Sequence, residues 1–158
     1  MENYELWTTS TVDSEEQEIL RRAEAILAKR VNSGQALTDP SMMGNMLRMR
    51  LASRTREVFT VVLLDTRHRV IKISDLFAGT IDAAEVHPRE VVRFALNHNA
   101  AAAVVAHNHP SGSPEPSTAD RAVTAQLKQA LALIDVRLLD HFVVSTEGAT
   151  SMAMRGWV

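Results

Sequence analysis

Apolar residues recur with two different periods along the chain, and these periods predict a mixture of helices and strands. The first predicted helix begins at Ser14 and places these apolar residues at helical spacing: Ile19, Ala23, Ile26 and Leu27. Asp39, Pro40 and Ser41 predict the start of a second helix, one face of which carries Met43, Met46, Leu47 and Leu51. We interpret this methionine-rich face as flexible core filler, with a binding groove as the alternative.

Strand patterns dominate the middle of the chain. Residues 57–64 predict a strand, residues 65–68 a tight turn and residues 69–73 a returning strand, which together form a hairpin. A third strand is expected around residues 79–81. Pro88 suits the first turn of a helix, whose predicted apolar face is Val91, Val92, Ala95 and Leu96.

The second half of the chain repeats this alternation. Residues 100–106 form a continuous apolar run, typical of a fully buried strand. A long helix opening at Ser117 follows, with an apolar stripe of Val123, Leu127, Ala130, Leu131 and Ile134. Residues 136–145 and 150–154 predict the last two strands. The order of elements predicts a three-layer α/β fold with a mixed sheet.

Composition is that of an ordinary globular domain and narrows the chemistry. The 158 residues are 46% hydrophobic and include no cysteine, which excludes disulfides, thiolate metal sites and a cysteine nucleophile. The start of the chain is acidic and lacks the basic and apolar regions of a signal peptide. Its apolar runs are too short to span a bilayer. We therefore expect a soluble, cytoplasmic protein.

A formal net charge of −2 gives no support for strong non-specific DNA binding. Residues 48–72 are locally basic, with seven arginines and lysines against only Glu57 and Asp65. We interpret this zone as solvated side chains on a helix and a hairpin, with a nucleic-acid-binding patch as the alternative.

The strongest candidate site lies where the buried strand ends. His107 and His109 are two positions apart, so on an extended segment their imidazoles point to the same side. Asp120 falls in the first turn of the helix after the intervening loop, where it can face back toward them. Two imidazoles and a carboxylate suit Zn²⁺, and three protein ligands leave a fourth position for water, as in catalytic zinc sites.

Each of these residues also has an ordinary structural explanation. A His-x-His pair near a strand end is commonly two polar residues facing solvent. Ser117 and Asp120 have the spacing of a capping box, in which the two residues satisfy each other's backbone N–H groups. From the residues alone, both interpretations of His107, His109 and Asp120 remain open.

The pattern His-x-His-Pro-x6-Ser-x-x-Asp, which residues 107–120 match at every fixed position, resembles the JAMM metalloproteases, also called the JAB/MPN/Mov34 family. Residues 86–117 and the later segment LLDHFVV are similar to the RadC-like branch of that family. The resemblance runs from about Ala36 to the C-terminus. It implies an αβα, cytidine-deaminase-like fold with a mostly antiparallel sheet over residues 36–158, preceded by an N-terminal arm and helix in residues 1–35.

The resemblance also implies roles for five residues. His107, His109 and Asp120 would be the zinc ligands, and Ser117 would help to hold the oxyanion of a tetrahedral intermediate. Glu57, at the start of an early strand, would be the general base, with a solvated strand-edge residue as the alternative. His141 is interpreted as a buried structural histidine, with a position behind the metal ligands as the alternative.

Two departures limit what the resemblance implies. Asn108 stands where many peptidases of the family have Ser or Thr, so deubiquitinase-like specificity is not carried over. Longer RadC-like proteins carry a helix-hairpin-helix region before this domain, for which residues 1–35 are too short. A DNA-related role is weakened accordingly.

The leading hypothesis is a zinc-dependent metallopeptidase or isopeptidase acting on an unknown peptide or protein. The alternatives are a protein of DNA repair or mobile elements with weak DNA association, and a non-catalytic MPN scaffold. A homodimer through the methionine-rich helix is also open.

Overall fold

A computed structural model describes residues 14–32, 39–79 and 84–158. Within these residues the helices are α1 (Ser14–Asn32), α2 (Pro40–Leu51), α3 (Pro88–Asn97) and α4 (Thr118–Ala132). The strands are β1 (Val58–Leu64), β2 (Val70–Ala78), β3 (Ala102–Asn108), β4 (Arg137–Val144) and β5 (Ala149–Ser151). No helix of the described ranges is both long and apolar enough to cross a bilayer.

The strands form a single mixed sheet in the order β2-β1-β3-β4-β5. Strand β1 is antiparallel to both β2 and β3, and β4 is antiparallel to β5. The β3–β4 pair is parallel, and α4 supplies the crossover between these two strands. The predicted mixed, mostly antiparallel sheet is therefore confirmed.

Helices cover both faces of this sheet, which confirms the three layers. On the first face, α2 packs against β1, β3 and β4 in a core that includes Met46, Leu47, Val62 and Phe142. On the second face, α3 and α4 pack against the same strands in a core that includes Phe59, Val105, Val91 and Leu127. Every residue of β1 and β3 is buried, as expected of strands covered on both sides.

The methionine-rich face of α2 is core, as predicted. Asp39 caps the helix by accepting a hydrogen bond from the backbone N–H of Ser41, and Pro40 takes the first turn. The side chains of Met43 and Met46 are 3% and 0% exposed within a single chain. A homodimer, which stays a prediction, would therefore have to use other side chains.

Several predicted boundaries shift. Strand β3 covers 102–108 rather than 100–106, because a turn at the end of α3 includes Asn99 in the left-handed region, with φ 51°. Strand β5 ends at Ser151 rather than Met154, because the backbone turns there and the N–H of Ala153 donates to the Asp140 carboxylate. Both changes leave the topology intact.

Other expectations were wrong or lie outside the described residues. Leu96, assigned to the buried face of α3, is 54% exposed, and Ile19 and Ile26 of α1 are similarly exposed at 58% and 54%. Strand β2 extends to Ala78, and no strand begins at Gly79. The rest of the proposed third strand, the part of the N-terminal arm before Ser14 and residues 33–38 fall outside the described ranges.

Candidate metal centre

Strand β3 delivers two consecutive polar side chains to opposite faces of the sheet. His107 follows Val105 onto the face covered by α4, whereas Asn108 follows Ala106 onto the face covered by α2. Beyond the strand the chain stays extended for one more step, because the N–H of His109 donates to the carbonyl of Val144 at 2.8 Å. The two histidines are thereby held on one side, as predicted.

The N-terminus of α4 brings Asp120 to these histidines. Ser117 is the N-cap of the helix, and its Oγ accepts a hydrogen bond from the N–H of Asp120 at 3.0 Å. In return, Asp120 Oδ2 accepts one from the N–H of Ser117 at 2.7 Å. The capping box expected from the spacing is present, and it fixes the carboxylate rather than competing with a role at the site.

The three candidate ligands converge. The Nε2 atoms of His107 and His109 are 3.0 Å apart, and Asp120 Oδ1 and Oδ2 lie 3.1 Å and 3.2 Å from them respectively. One ligand atom from each residue lies within 4.8 Å of the other two. Two imidazole nitrogens and a carboxylate oxygen facing one point match the donor set of zinc sites. The cluster could hold a metal ion.

The outward-facing nitrogens of both imidazoles are occupied by protein. His109 Nδ1 is 3.0 Å from the carbonyl oxygen of Ser113. Because a carbonyl only accepts, Nδ1 carries a proton and donates it, so Nε2 is the ring nitrogen that would bind a metal ion. His107 Nδ1 is 2.8 Å from Nε2 of His141. Each ring is thus oriented by the hydrogen bond at its Nδ1 atom.

Electrostatics favour an ionised carboxylate at this point. Burial acts to raise the pKa of Asp120, but hydrogen bonds from His107 and His109 outweigh it and hold the pKa well below its usual range. The hydrogen bond to Asp120 raises the pKa of His109 against the opposing effect of burial. The carboxylate is therefore charged at neutral pH, as a metal ligand must be.

Glu57 lies in the same cleft as the three candidate ligands. The cleft has a volume of about 410 Å³, and its walls include Glu57, Ser117, Val86 and the histidine pair. Burial raises the pKa of the Glu57 carboxyl, and the nearby His107 acts in the opposite direction. The structure therefore brings all five sequence-predicted residues to one cleft, although it leaves their roles untested.

Asn108 has a structural task that the sequence did not reveal. Its Oδ1 accepts a hydrogen bond from the N–H of Val58 at 2.7 Å, and its Nδ2 donates to the carbonyls of Arg54 and Arg56 at 3.3 Å and 2.9 Å. These three bonds clamp the backbone on both sides of Glu57. Asparagine between the two histidines therefore ties the ligand strand to the segment that carries the glutamate.

A second buried polar group lies behind His107. His141, which is fully buried, bonds His107 through Nε2 and Thr124 through Nδ1, at 2.8 Å and 2.6 Å. Complete burial lowers the pKa of His141 well below its usual value, so the ring is neutral. Phe59 stacks on His107 and meets His141 edge-on, with ring centroids 6.2 Å and 5.6 Å apart. His141 is thus both buried and behind a candidate ligand.

The basic zone at residues 48–72 is partly neutralised within the chain. Arg50 pairs with Glu24 and Asp75, and Arg69 pairs with Asp65. The guanidinium of Arg48 donates to the backbone carbonyls of residues 145 and 146. These contacts account for Arg48, Arg50 and Arg69 without a nucleic acid, and the DNA association stays a prediction.

Comparison with known proteins agrees with the geometry of the cleft. The family model of the RadC-like JAB domain matches residues 37–157. A UPF0758 protein of Xanthomonas campestris pv. campestris is 59% identical over 139 residues, covering 88% of this chain and 62% of the relative. Another from Vibrio parahaemolyticus is 51% identical over 142 residues, covering 90% and 63%.

The names of these relatives give no activity, and this chain spans less than two thirds of their length. The matched residues nevertheless include the whole sheet, helices α2 to α4 and all five residues of the cleft. With more than three quarters of its length matched by the family model, the chain belongs to the RadC-like JAB domain family.

Proposed function

We propose that the protein is a zinc-dependent hydrolase that cleaves peptide or isopeptide bonds. The observation that carries this proposal is the convergence of His107, His109 and Asp120, with one ligand atom of each within 4.8 Å of the others. Membership of the JAB family supports it, because that family includes metalloproteases. The intact cleft argues against a pure scaffold, which has no need of an ionised carboxylate beside two oriented imidazoles.

His107, His109 and Asp120 would hold the ion, and they fit it by charge and by proton position. The carboxylate is ionised, and His109 has its proton on the nitrogen that faces Ser113. Bound there, zinc would supply a Lewis acid and a water nucleophile at neutral pH. Side chains of the protein would carry out the proton transfer and stabilise the oxyanion.

Glu57 would move the proton. Its carboxylate accepts a proton from the attacking water as the new C–O bond forms at the substrate carbonyl carbon, and the same carboxylic acid returns it to the amine nitrogen as the C–N bond breaks. Burial supports the first half of this cycle, because a raised pKa makes the Glu57 carboxylate a stronger base than a solvated glutamate.

Ser117 would stabilise the developing oxyanion. Its Oγ already accepts from the N–H of Asp120, so its own hydroxyl proton remains to donate, and Ser117 lines the cleft. A preorganised donor of this kind contributes by favouring the charge that develops in the transition state. A cleft of about 410 Å³ has room for a short peptide segment beside these residues.

The test compares cells that produce wild-type protein with cells that produce Glu57→Gln, followed by mass spectrometry of new peptide termini and freed lysine side chains. Glutamine keeps the shape of the side chain but cannot accept the proton. We expect fragments that depend on Glu57, while zinc content stays equal in both proteins. Identical fragment profiles in the two cell populations would contradict the proposal.

A further inference from the structure

Thr124 and His141 form a hydrogen-bonded chain behind the metal cluster that neither the ligand pattern nor the proposed mechanism uses. Thr124 is fully buried in α4, one turn after Asp120, and His141 is fully buried in β4. Their atoms connect Asp120 to His107 by three short contacts: Thr124 Oγ1 to Asp120 O at 2.6 Å, Thr124 Oγ1 to His141 Nδ1 at 2.6 Å, and His141 Nε2 to His107 Nδ1 at 2.8 Å.

The direction of every hydrogen bond in this chain follows from the threonine. Its hydroxyl has one proton, and its other two neighbours, the carbonyl oxygen of Asp120 and the more distant sulfur of Met152 at 3.6 Å, only accept. The carbonyl oxygen of Asp120 takes this proton, because two oxygens 2.6 Å apart repel unless a proton lies between them, so Thr124 Oγ1 has only lone pairs left for His141. The contact at 2.6 Å must therefore be donated by Nδ1–H of His141.

The next bond then has only one direction. Among the described residues, the ring of His141 has Thr124 and His107 as hydrogen-bond partners and no carboxylate, so a second proton would place an uncompensated charge in a fully buried position. With the single proton on Nδ1, Nε2 of His141 accepts. His107 must accordingly donate from Nδ1, so its Nε2, which faces His109 and Asp120, is the nitrogen left to bind a metal ion.

We propose that Thr124 and His141 are positioning residues that fix His107 in the tautomer able to bind a metal ion. The chain of contacts closes on itself, because it starts at the backbone carbonyl of Asp120 and ends on a histidine whose Nε2 faces the Asp120 carboxylate. Packing of Phe59 against both imidazoles shields the chain from water. The inference rests on the metal site of the proposed function but not on the hydrolytic step.

The direct test is ¹⁵N NMR of histidine-labelled wild-type protein, full chain, with one equivalent of zinc. Ring nitrogen shifts distinguish a protonated nitrogen from one that accepts or binds metal. We expect the proton on Nδ1 of both His141 and His107, and metal on Nε2 of His107. A proton on Nε2 of His141 in the zinc-loaded protein would overturn the inference and leave the proposed function standing.

Variants supply a second readout through the zinc dissociation constant, measured by competition with a chelator. Thr124→Val keeps the branched shape but cannot accept from His141, and we expect affinity to fall by roughly 10- to 100-fold, the usual effect of losing a partner behind a metal ligand. Thr124→Ser, which restores a hydroxyl, should recover most of that loss. Wild-type affinity in Thr124→Val would overturn the inference.

Thr60→Val is the matched control. Thr60 is also fully buried and donates to Asp75 at 2.7 Å, but it lies on the opposite face of the sheet. Its loss should affect stability and leave zinc affinity unchanged. An equal fall in affinity in Thr60→Val would show that general loosening explains the Thr124 result and would overturn the inference. Failure of wild-type protein to bind zinc would instead overturn the proposed function together with it.

Discussion

The two faces of the sheet are built from the same strands but hold different kinds of side chain. Under α2 the residues of β1 and β3 meet Met46, Leu47 and other apolar groups in a packed core. Under α4 the sheet carries a polar cluster, in which His107 of β3 and the buried His141 of β4 lie beside Phe59, and His107 lines the cleft. Both faces thus combine packing with fixed polar contacts, but the candidate metal ligands lie on the second face.

This difference arises because successive side chains of a strand point to opposite faces of the sheet. His107 and Asn108 are neighbours in β3, yet one belongs to the candidate metal centre and the other clamps the backbone of residues 54–58. The cleft is therefore held in place by contacts on both faces of the sheet. Substitutions on the two faces should therefore affect stability and zinc affinity separately.

Leu47→Ala should destabilise the protein by about 2–5 kcal/mol, the usual cost of a cavity left by a buried leucine. Leu47 is fully buried in the core between α2 and the sheet, on the face opposite the metal cluster. Urea unfolding measures the loss, and zinc affinity should stay at the wild-type value. Leu133→Ala, at a side chain 87% exposed, is the control and should leave stability unchanged. A parallel loss of zinc affinity in Leu47→Ala would mean that the two faces are not separable.

His109→Ala should have the opposite effect, with zinc affinity lost and stability retained. Removing a ligand should weaken zinc binding by more than about 100-fold, beyond the effect of losing an outer partner, which corresponds to about 2.8 kcal/mol. His109 lies beyond the end of β3 and is partly exposed, so folding should survive. Chelator competition gives the affinity, with His98→Ala at the C-cap of α3 as the control. Unchanged zinc content in His109→Ala would remove His109 from the site.

The sequence predicted that His107, His109 and Asp120 could face one another because their geometry is local, whereas their role as zinc ligands was implied by the family resemblance. The i, i+2 spacing of His107 and His109 and the capping-box spacing of Ser117 and Asp120 each depend on a single element and its cap. The contacts behind them are not local. His141 lies 34 positions from His107, and Val58 lies 50 positions from Asn108.

These distant contacts depend on strand register, which the hydrophobic pattern does not specify. The parallel pairing of β3 with β4 places His141 opposite Val105, and a bulge in β4 contributes to that alignment. Thr124 carried a weak signal, because it lies one turn after Asp120 on a helix whose buried face is otherwise apolar. Exposure of Ile19 and Leu96 was missed because helical spacing predicts a face but not what covers it.

Asn108→Ala should cost about 1–3 kcal/mol, because the buried N–H of Val58 and two backbone carbonyls lose their partner. Zinc affinity should change little, since the ligands lie on the other face. Urea unfolding measures the loss of stability, and hydrogen exchange at the Val58 amide measures whether that N–H has lost its hydrogen bond. Asn108→Asp keeps the acceptor for Val58 but replaces the donor, so it should also be destabilised. Wild-type exchange at Val58 in Asn108→Ala would contradict the clamp.

Ser117→Ala should have the smallest effect, a loss of about 1 kcal/mol from the missing N-cap of α4. Ser117→Gly is the matched variant, because glycine at an N-cap typically costs only a few tenths of a kcal/mol. Zinc affinity should be close to wild type in both, since the N–H of Ser117 still holds Asp120 Oδ2. Loss of zinc from either protein would show that the serine hydroxyl, rather than the backbone, positions the carboxylate.

The most direct measurement of the central claim is the zinc-edge X-ray absorption spectrum of the full chain loaded with one equivalent of zinc. We predict four-coordinate zinc with two imidazole nitrogens at about 2.0–2.1 Å and two oxygens at about 2.0–2.2 Å. One oxygen would come from Asp120 and the other from solvent. A spectrum without imidazole scattering, or a protein that retains no zinc after gel filtration, would contradict the assignment of His107, His109 and Asp120 as the metal centre.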